Sequence, residues 1–378
     1  VIYLDNAAST WPKPPEVAEA AKTAISDYGA NPGRGGHQLA RRAEQTIAKT
    51  RAKLARLFGV KDPNRFLFCF HATHAINQAI QGTLSSEDHV IISGWEHNAV
   101  ARPVTALAQT KGVRVSVVEP SASGDWLTAI QQAVSPQTKM IITTHGSNVT
   151  GEVMPVVEIG QYARSKGILY LVDASQTAGL LPYRLDEWPI DMLAFPGHKG
   201  LYGPQGTGGL YVAEGVSIYP LLFGGTGSRS EELEQPLDWP GGFESGTLNT
   251  PGLAGLGAGV DFVLRTGVEC IHQHEMELTR LLWEGLKRLN GVRLSTEEMP
   301  SLPLFSFNLV GLDGQEVAMI LDQHYDIAVR AGFHCAALKH RSLGTEAGAI
   351  RVSPGYFNTP AEIESFLKAI AEIQRYLS

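Results

Sequence analysis

Lys199 stands in Ala194-Phe195-Pro196-Gly197-His198-Lys199-Gly200-Leu201-Tyr202-Gly203-Pro204, and Asp173 closes an apolar run in Leu171-Val172-Asp173-Ala174-Ser175-Gln176. A lysine just past one short apolar run and a carboxylate at the end of another are the groups that a pyridoxal phosphate site needs. The amine holds the cofactor as a Schiff base. The carboxylate keeps the pyridine nitrogen protonated, so that the ring accepts electrons from a substrate carbanion.

The chain that must position these groups has 378 residues, 43% hydrophobic and 18% charged, enough for two domains and a large core. Its net charge of −7 argues against a nucleic-acid surface, which needs a clustered basic excess. No apolar stretch approaches the ~20 residues that span a bilayer, and Val1-Ile2-Tyr3-Leu4-Asp5 lacks the basic start and apolar run of a signal peptide. Three cysteines make no disulfide framework, so a reducing compartment, the cytoplasm, is expected. Neither His71-x-x-His74 nor His272-x-His274 has matching cysteines, and no metal is expected. The glycine-rich segments 206–209 and 224–227 do not open a helix after the first strand of a βαβ unit, so the dinucleotide-binding fingerprint fails.

Seven short apolar runs, at 66–70, 89–93, 113–118, 139–145, 168–173, 190–195 and 207–212, read as strands. Segments 39–58, 75–84, 99–110 and 156–165 carry the i, i+3, i+4 spacing of amphipathic helices. This alternation predicts an α/β fold with a mostly parallel seven-stranded sheet flanked by helices. Ligands bind such sheets beyond the carboxyl ends of the strands, where Asp173 and Lys199 fall. Residues 223–249 read as long loops, and 251–290 as two helices. Strands at 304–310 and 350–353 and helices at 314–325 and 360–377 make a smaller C-terminal α/β domain. The expected division is 14–255 for the large domain, with 1–13 and 256–378 forming the small one.

From Tyr3-Leu4-Asp5-Asn6-Ala7-Ala8 to Tyr356-Phe357-Asn358-Thr359 the chain resembles the fold-type I pyridoxal phosphate enzymes, in particular the class V aminotransferase group that contains the cysteine desulfurases. The resemblance implies cofactor-phosphate binding by Thr73, at a helix start suited to an anion, and by His198. The residue after Thr73, often acidic in the family, is His74, counted here with the cofactor-binding set. The resemblance makes His97, in Trp95-Glu96-His97-Asn98-Ala99, the ring-stacking and proton-moving histidine. It puts Asn148 and Gln176 at the phenolic oxygen and Asp173 at the pyridine nitrogen. The family often carries a phosphate-binding serine three residues before the lysine; this chain has Pro196. Thr247 matches a threonine that reaches the phosphate of a neighbouring subunit, implying a homodimer. Arg351 matches the clamp for a substrate carboxylate, which a guanidinium fork holds bidentately; the alternative is a surface ion pair. His37 matches a histidine near the substrate.

Cys335, in Arg330-Ala331-Gly332-Phe333-His334-Cys335-Ala336, resembles the segment of the group II desulfurases and selenocysteine lyases. There a thiolate takes sulfur from L-cysteine as a persulfide, releases L-alanine and passes the sulfur to an acceptor protein, with iron–sulfur cluster assembly among the open destinations. His334 is a candidate base for that thiol. The alternative for Cys335 is a small buried thiol with no covalent role. Cys69 and Cys270 are expected to be packing residues. L-Selenocysteine is a second expected substrate. Competing activities are a cysteine or cystine β-lyase and an aminotransferase. A partner-binding protein on a retained fold is opposed by Lys199, Asp173, His97 and Arg351 standing together.

Overall fold

The computed structural model describes residues 1–33, 36–120, 124–345 and 347–377. A short strand β1 (Ile2–Tyr3) precedes helices α1 (Pro15–Tyr28) and α2 (Gln38–Phe58). Strands and helices then alternate through β2 (Phe66–Cys69), α3 (Ala72–Gln81), β3 (His89–Ser93), α4 (Asn98–Lys111), β4 (Arg114–Val118) and α5 (Trp126–Ala133). The pattern continues with β5 (Thr138–Thr144), α6 (Val156–Ser165), β6 (Leu169–Asp173), β7 (Met192–Pro196) and β8 (Gly208–Val212). Helices α7 (Thr250–Thr266) and α8 (Val268–Lys287) follow, then β9 (Val292–Leu294), β10 (Phe305–Leu309) and α9 (Gly314–Tyr325). Last come β11 (Ile327–Ala328), β12 (Arg330–Gly332), α10 (Ala337–Ser342), β13 (Ala349–Val352) and α11 (Pro360–Leu377).

Each of the seven expected runs holds one strand of a single sheet, ordered β2-β8-β7-β6-β5-β3-β4 among the described residues. Its pairings from β7 to β4 are parallel, and β8 is antiparallel to both neighbours. Every residue of β3, β7 and β8 is buried, as continuous apolar strands covered on both faces must be. Alternate side chains feed two cores. Ile91, Phe195 and Tyr211 pack with Phe58 and Leu256 on one face; Val90, Ile92, Ala194 and Leu210 pack with Ile76 and Val100 on the other.

Helix α7 packs on α1 and α2. A side chain at Gly259 would put its Cβ 2.3 Å from the Leu201 carbonyl oxygen, so glycine lets α7 press directly against the segment after Lys199. The C-terminal sheet, β12-β13-β10-β9, is antiparallel. It shares a core of Phe305, Phe307, Ile350, Leu282 and Phe366 with α8 and α11. Strand β1 pairs in parallel with β11, and Asp5 bridges Ser353 beyond it, so the first residues join the C-terminal part.

The expected boundary at 255 falls inside α7, and the chain turns at Gly267, between α7 and α8. Helices α1, α5 and α10 and strands β1, β9, β11 and β12 lie outside the expected elements. Helix α1 begins at Pro14-Pro15, which reads as loop yet suits a first helical turn. The small strands exist only through their pairing, which no local pattern announces. Segment 223–249 is irregular apart from one turn at Gly241–Phe243, as expected.

Phe58 is fully buried, with ring centroids 5.0 Å from Phe195, 5.4 Å from Tyr183 and 5.6 Å from Phe66. Phe58→Ala is expected to cost about 3–5 kcal/mol, read as a lower urea midpoint at unchanged slope.

Candidate active site

The carboxyl ends of β3, β5, β6 and β7 lie along one edge of the sheet, because these strands are parallel. Each leads into a residue of the expected set: His97 after β3, Asn148 after β5, Asp173 as the last residue of β6, and His198-Lys199 after β7. These residues line one cavity of about 210 Å³. Thr73, Gln176 and Arg351 also line it.

Asp173 is buried, and one of its carboxylate oxygens accepts the Ser175 N–H at 2.9 Å. Burial, reinforced by Arg351, lowers the pKa of the Lys199 ammonium to about 8, with Asp173 pulling the other way. The amine is thus far closer to its nucleophilic neutral form than a solvated lysine. His97 caps α4, its Nδ1 accepting the Ala99 N–H at 2.9 Å, which leaves the ring proton on Nε2. Burial drives its pKa down to about 4 against the pull of Asp173. His198 is likewise pushed to about 4, by burial and then Lys199, and its buried Nδ1 has no hydrogen-bond partner.

Arg351 lies third in β13 rather than at a strand start, and it is buried rather than on the surface. Its Nη2 meets Asp5 Oδ1 at 3.0 Å, its Nη1 donates to the Asn148 carbonyl at 3.1 Å, and its Nε has no partner. Arg330, five residues before Cys335 in sequence, is directly opposite Arg351 in the β12–β13 register and lines the same cavity. Like charges placed opposite across a ladder repel, so the pair is poised for an anion. Only the pairing register reveals this second arginine.

Residues 5–13 brace the same groups from below. The Gln176 amide donates to the Ala7 carbonyl at 3.1 Å. Thr10 donates to the Lys199 carbonyl at 3.1 Å, and the Lys13 ammonium to that of His198 at 2.8 Å.

Four expected residues do not line the cavity. His74, one position past Thr73 on α3 and so rotated around the helix, stacks on Phe70 with centroids 5.3 Å apart. It faces a separate hollow shared with Thr247. The N-cap of α3 is His71, leaving Thr73 at the second helical position. His37 is exposed and caps α2, its Nδ1 accepting the Ala40 N–H at 3.3 Å. Cys335 is exposed beside the cavity, while the neighbouring His334 lines it. His334 and Cys335 are consecutive left-handed residues, with φ of 49° and 57°, a conformation costing non-glycine residues on the order of 1–3 kcal/mol each. Asn148 holds the His334 carbonyl and the Asn98 N–H holds that of Cys335, each at 2.7 Å. Lys339, on the following helix, pairs with Glu152 at 3.1 Å and lies over the Trp95 ring. Burial, with Arg351 and His340 adding to the fall, drives the pKa of His334 down to about 2. Cys69 is buried as expected, but Cys270 is exposed near the start of α8 and is not a packing residue.

The donor set fits pyridoxal phosphate. An amine with a lowered pKa, a buried carboxylate and a neutral histidine share the cavity with the N-terminus of α3 and His198.

Glu96 stands next to His97 but was not singled out by the sequence. It is wholly buried; its Oε1 accepts the Thr144 N–H at 2.7 Å and the Ser93 hydroxyl, tying the ends of β3 and β5 together. Burial raises its carboxyl to about 8, the Ser93 hydroxyl opposing and Asp173 adding to the rise. The folded state therefore holds a proton on Glu96 that the unfolded chain releases above its ordinary range, so this group's contribution falls as pH rises toward about 8. Glu96→Gln removes that dependence. The urea midpoint of the variant, relative to the unaltered chain, is expected to rise between pH 5 and pH 8.

The model of the family described as aminotransferase class-V matches residues 2–366. A probable cysteine desulfurase of Methanothermobacter thermautotrophicus is 36% identical over 98% of this chain and 94% of its own length. One of Xylella fastidiosa is 35% identical over 100% and 92%. Among solved structures, the apo cysteine desulfurase of Thermococcus onnurineus superposes with a TM-score of 0.91 at 31% identity, over 100% of this chain and 95% of that one. An Escherichia coli cysteine desulfurase gives 0.89 at 27%, with the same coverage. With a family match from residue 2 to residue 366, and relatives this similar along their whole length, the chain belongs to the class-V aminotransferase family.

Proposed function

We propose that this chain is a pyridoxal phosphate-dependent cysteine desulfurase, converting L-cysteine to L-alanine and leaving the sulfur on Cys335 as a persulfide. The observation that carries the reading is the convergence of Lys199, Asp173, His97 and two facing arginines on one cavity, with Cys335 held beside it. Bound at Lys199, the cofactor supplies an electron sink for the substrate's α-carbon.

The protein's own groups do the rest. Asp173 would keep the pyridine nitrogen protonated, and His97, neutral at working pH, would lie against the ring and donate from Nε2. Thr73 and His198 would hold the phosphate. Arg351 would take the substrate carboxylate, and Arg330 would supply the positive charge that Asp5 has already neutralised on Arg351. Lys199 would take the proton from the substrate's α-carbon. The Cys335 thiolate attacks the substrate sulfur. A sulfur–sulfur bond forms as the carbon–sulfur bond breaks; both sulfurs reach the persulfide level, and the β-carbon is reduced and protonated to the methyl group of alanine. The exposed persulfide then passes to an acceptor protein by thiol exchange. Thr247 lies away from its own chain's cavity, which supports a homodimer in which it serves the neighbouring subunit.

A second reading, β-elimination to pyruvate, ammonia and sulfide, is favoured by one observation: Cys335 does not line the cavity. The products formed from L-cysteine with a reductant present separate the two. Alanine with equimolar sulfide is expected, and Cys335→Ser is expected to abolish it while the cofactor absorbance remains; pyruvate in its place, unaffected by that substitution, sinks the desulfurase reading. Arg351→Lys, which loses the planar fork, is expected to raise KM for L-cysteine roughly tenfold or more.

A further inference from the structure

On the pyridoxal phosphate reading, one wall of the phosphate end differs from the pattern this sequence resembles. Pro196 occupies the serine position, lines the cavity and offers no hydrogen-bond donor. It pairs with Gly208 across β7 and β8. A Cβ on Gly208 would stand 3.0 Å from the Cα of His71, and would also crowd the Phe195 carbonyl at 2.8 Å. His71 is therefore packed against Pro196's strand partner, at a spot where only a residue without a side chain lets the two segments meet.

His71 lines the cavity beside Ala72, Thr73, Pro196 and His198. As the N-cap of α3 it accepts the His74 N–H on Nδ1 at 3.1 Å. That bond leaves the ring proton on Nε2, as a donor. The N–H groups of Ala72 and Thr73, in the first turn of the same helix, have no carbonyl within the helix to bind. A donor imidazole, a helix N-terminus and the His198 ring thus line the same cavity.

We propose that His71 is a phosphate ligand of this chain, its Nε2–H replacing the hydroxyl that Pro196 lacks. The ligand class is the dianionic phosphate monoester of the cofactor. Removing the imidazole costs a charge-assisted hydrogen bond. Putting a carboxylate there keeps the helix cap, since aspartate caps well, but sets two anions face to face.

The test is the Kd for pyridoxal phosphate, from absorbance titration of the stripped full-length chain, with the melting temperature of the stripped form measured in parallel. His71→Ala is expected to weaken binding roughly ten- to a hundredfold. His71→Asp is expected to weaken it further while leaving the melting temperature of the stripped form unchanged. Adding Pro196→Ser to His71→Ala is expected to recover most of the loss. Unaltered affinity in both His71 variants overturns the proposal. So does an affinity loss matched by an equal fall in the stripped-form melting temperature, or a double variant no better than His71→Ala. If the unaltered chain takes up no pyridoxal phosphate, the cofactor reading itself fails, an outcome distinct from failure of the His71 assignment.

Discussion

The buried guanidinium of Arg351 is the constraint around which the site is assembled. An arginine cannot shed its proton to escape burial, and an unpaired buried cation is costly. Its partners come from distant stretches of chain: Asp5 near the amino end, and the Asn148 carbonyl past β5. Asn148 in turn grips the His334 carbonyl, and the bridge between Asp5 and Ser353 fixes the strand that carries Arg351. Satisfying one charge thus joins the first residues, the large sheet and the C-terminal sheet. A buried ion pair of this kind is weak evidence for stability; here it fixes a guanidinium in the cavity wall, opposite Arg330.

The Cys335 segment shows the same economy. Two successive left-handed residues are an unfavourable way to present a thiol, and they persist because their carbonyls are held from two directions. The ion pair and ring contact of Lys339 pin the helix that follows. The thiol is thereby exposed on a backbone with little freedom, next to a histidine that burial keeps uncharged.

How legible this was depends on how local each signal is. The seven strands of the large sheet and the placing of Lys199, Asp173, His97 and Asn148 at strand ends could be read because an apolar run and the residue after it are contiguous in sequence. Arg330 facing Arg351 could not, since register is a relation between strands with no local signature. His74 follows Thr73 in sequence but turns away from it on the helix, and Glu96 beside His97 betrays its buried state only through packing. Cys270 looked like a core residue by type, yet its helix shows that position to solvent. Neither His37 nor Thr247 lines the cavity that holds Lys199, and the signal for them came from resemblance alone.

The pairing of β1 with β11, and of Asp5 with Ser353 and Arg351, brings together groups separated by more than three hundred positions. Such contacts carry a large loop-closure entropy and form slowly. During synthesis the large sheet can emerge and pack while its ligand-binding edge still lacks Arg330, Cys335 and Arg351. The nascent protein thus has a period with a nearly complete core and a cavity that lacks both its arginines, and that edge closes only when β12 and β13 leave the ribosome and the first residues meet them.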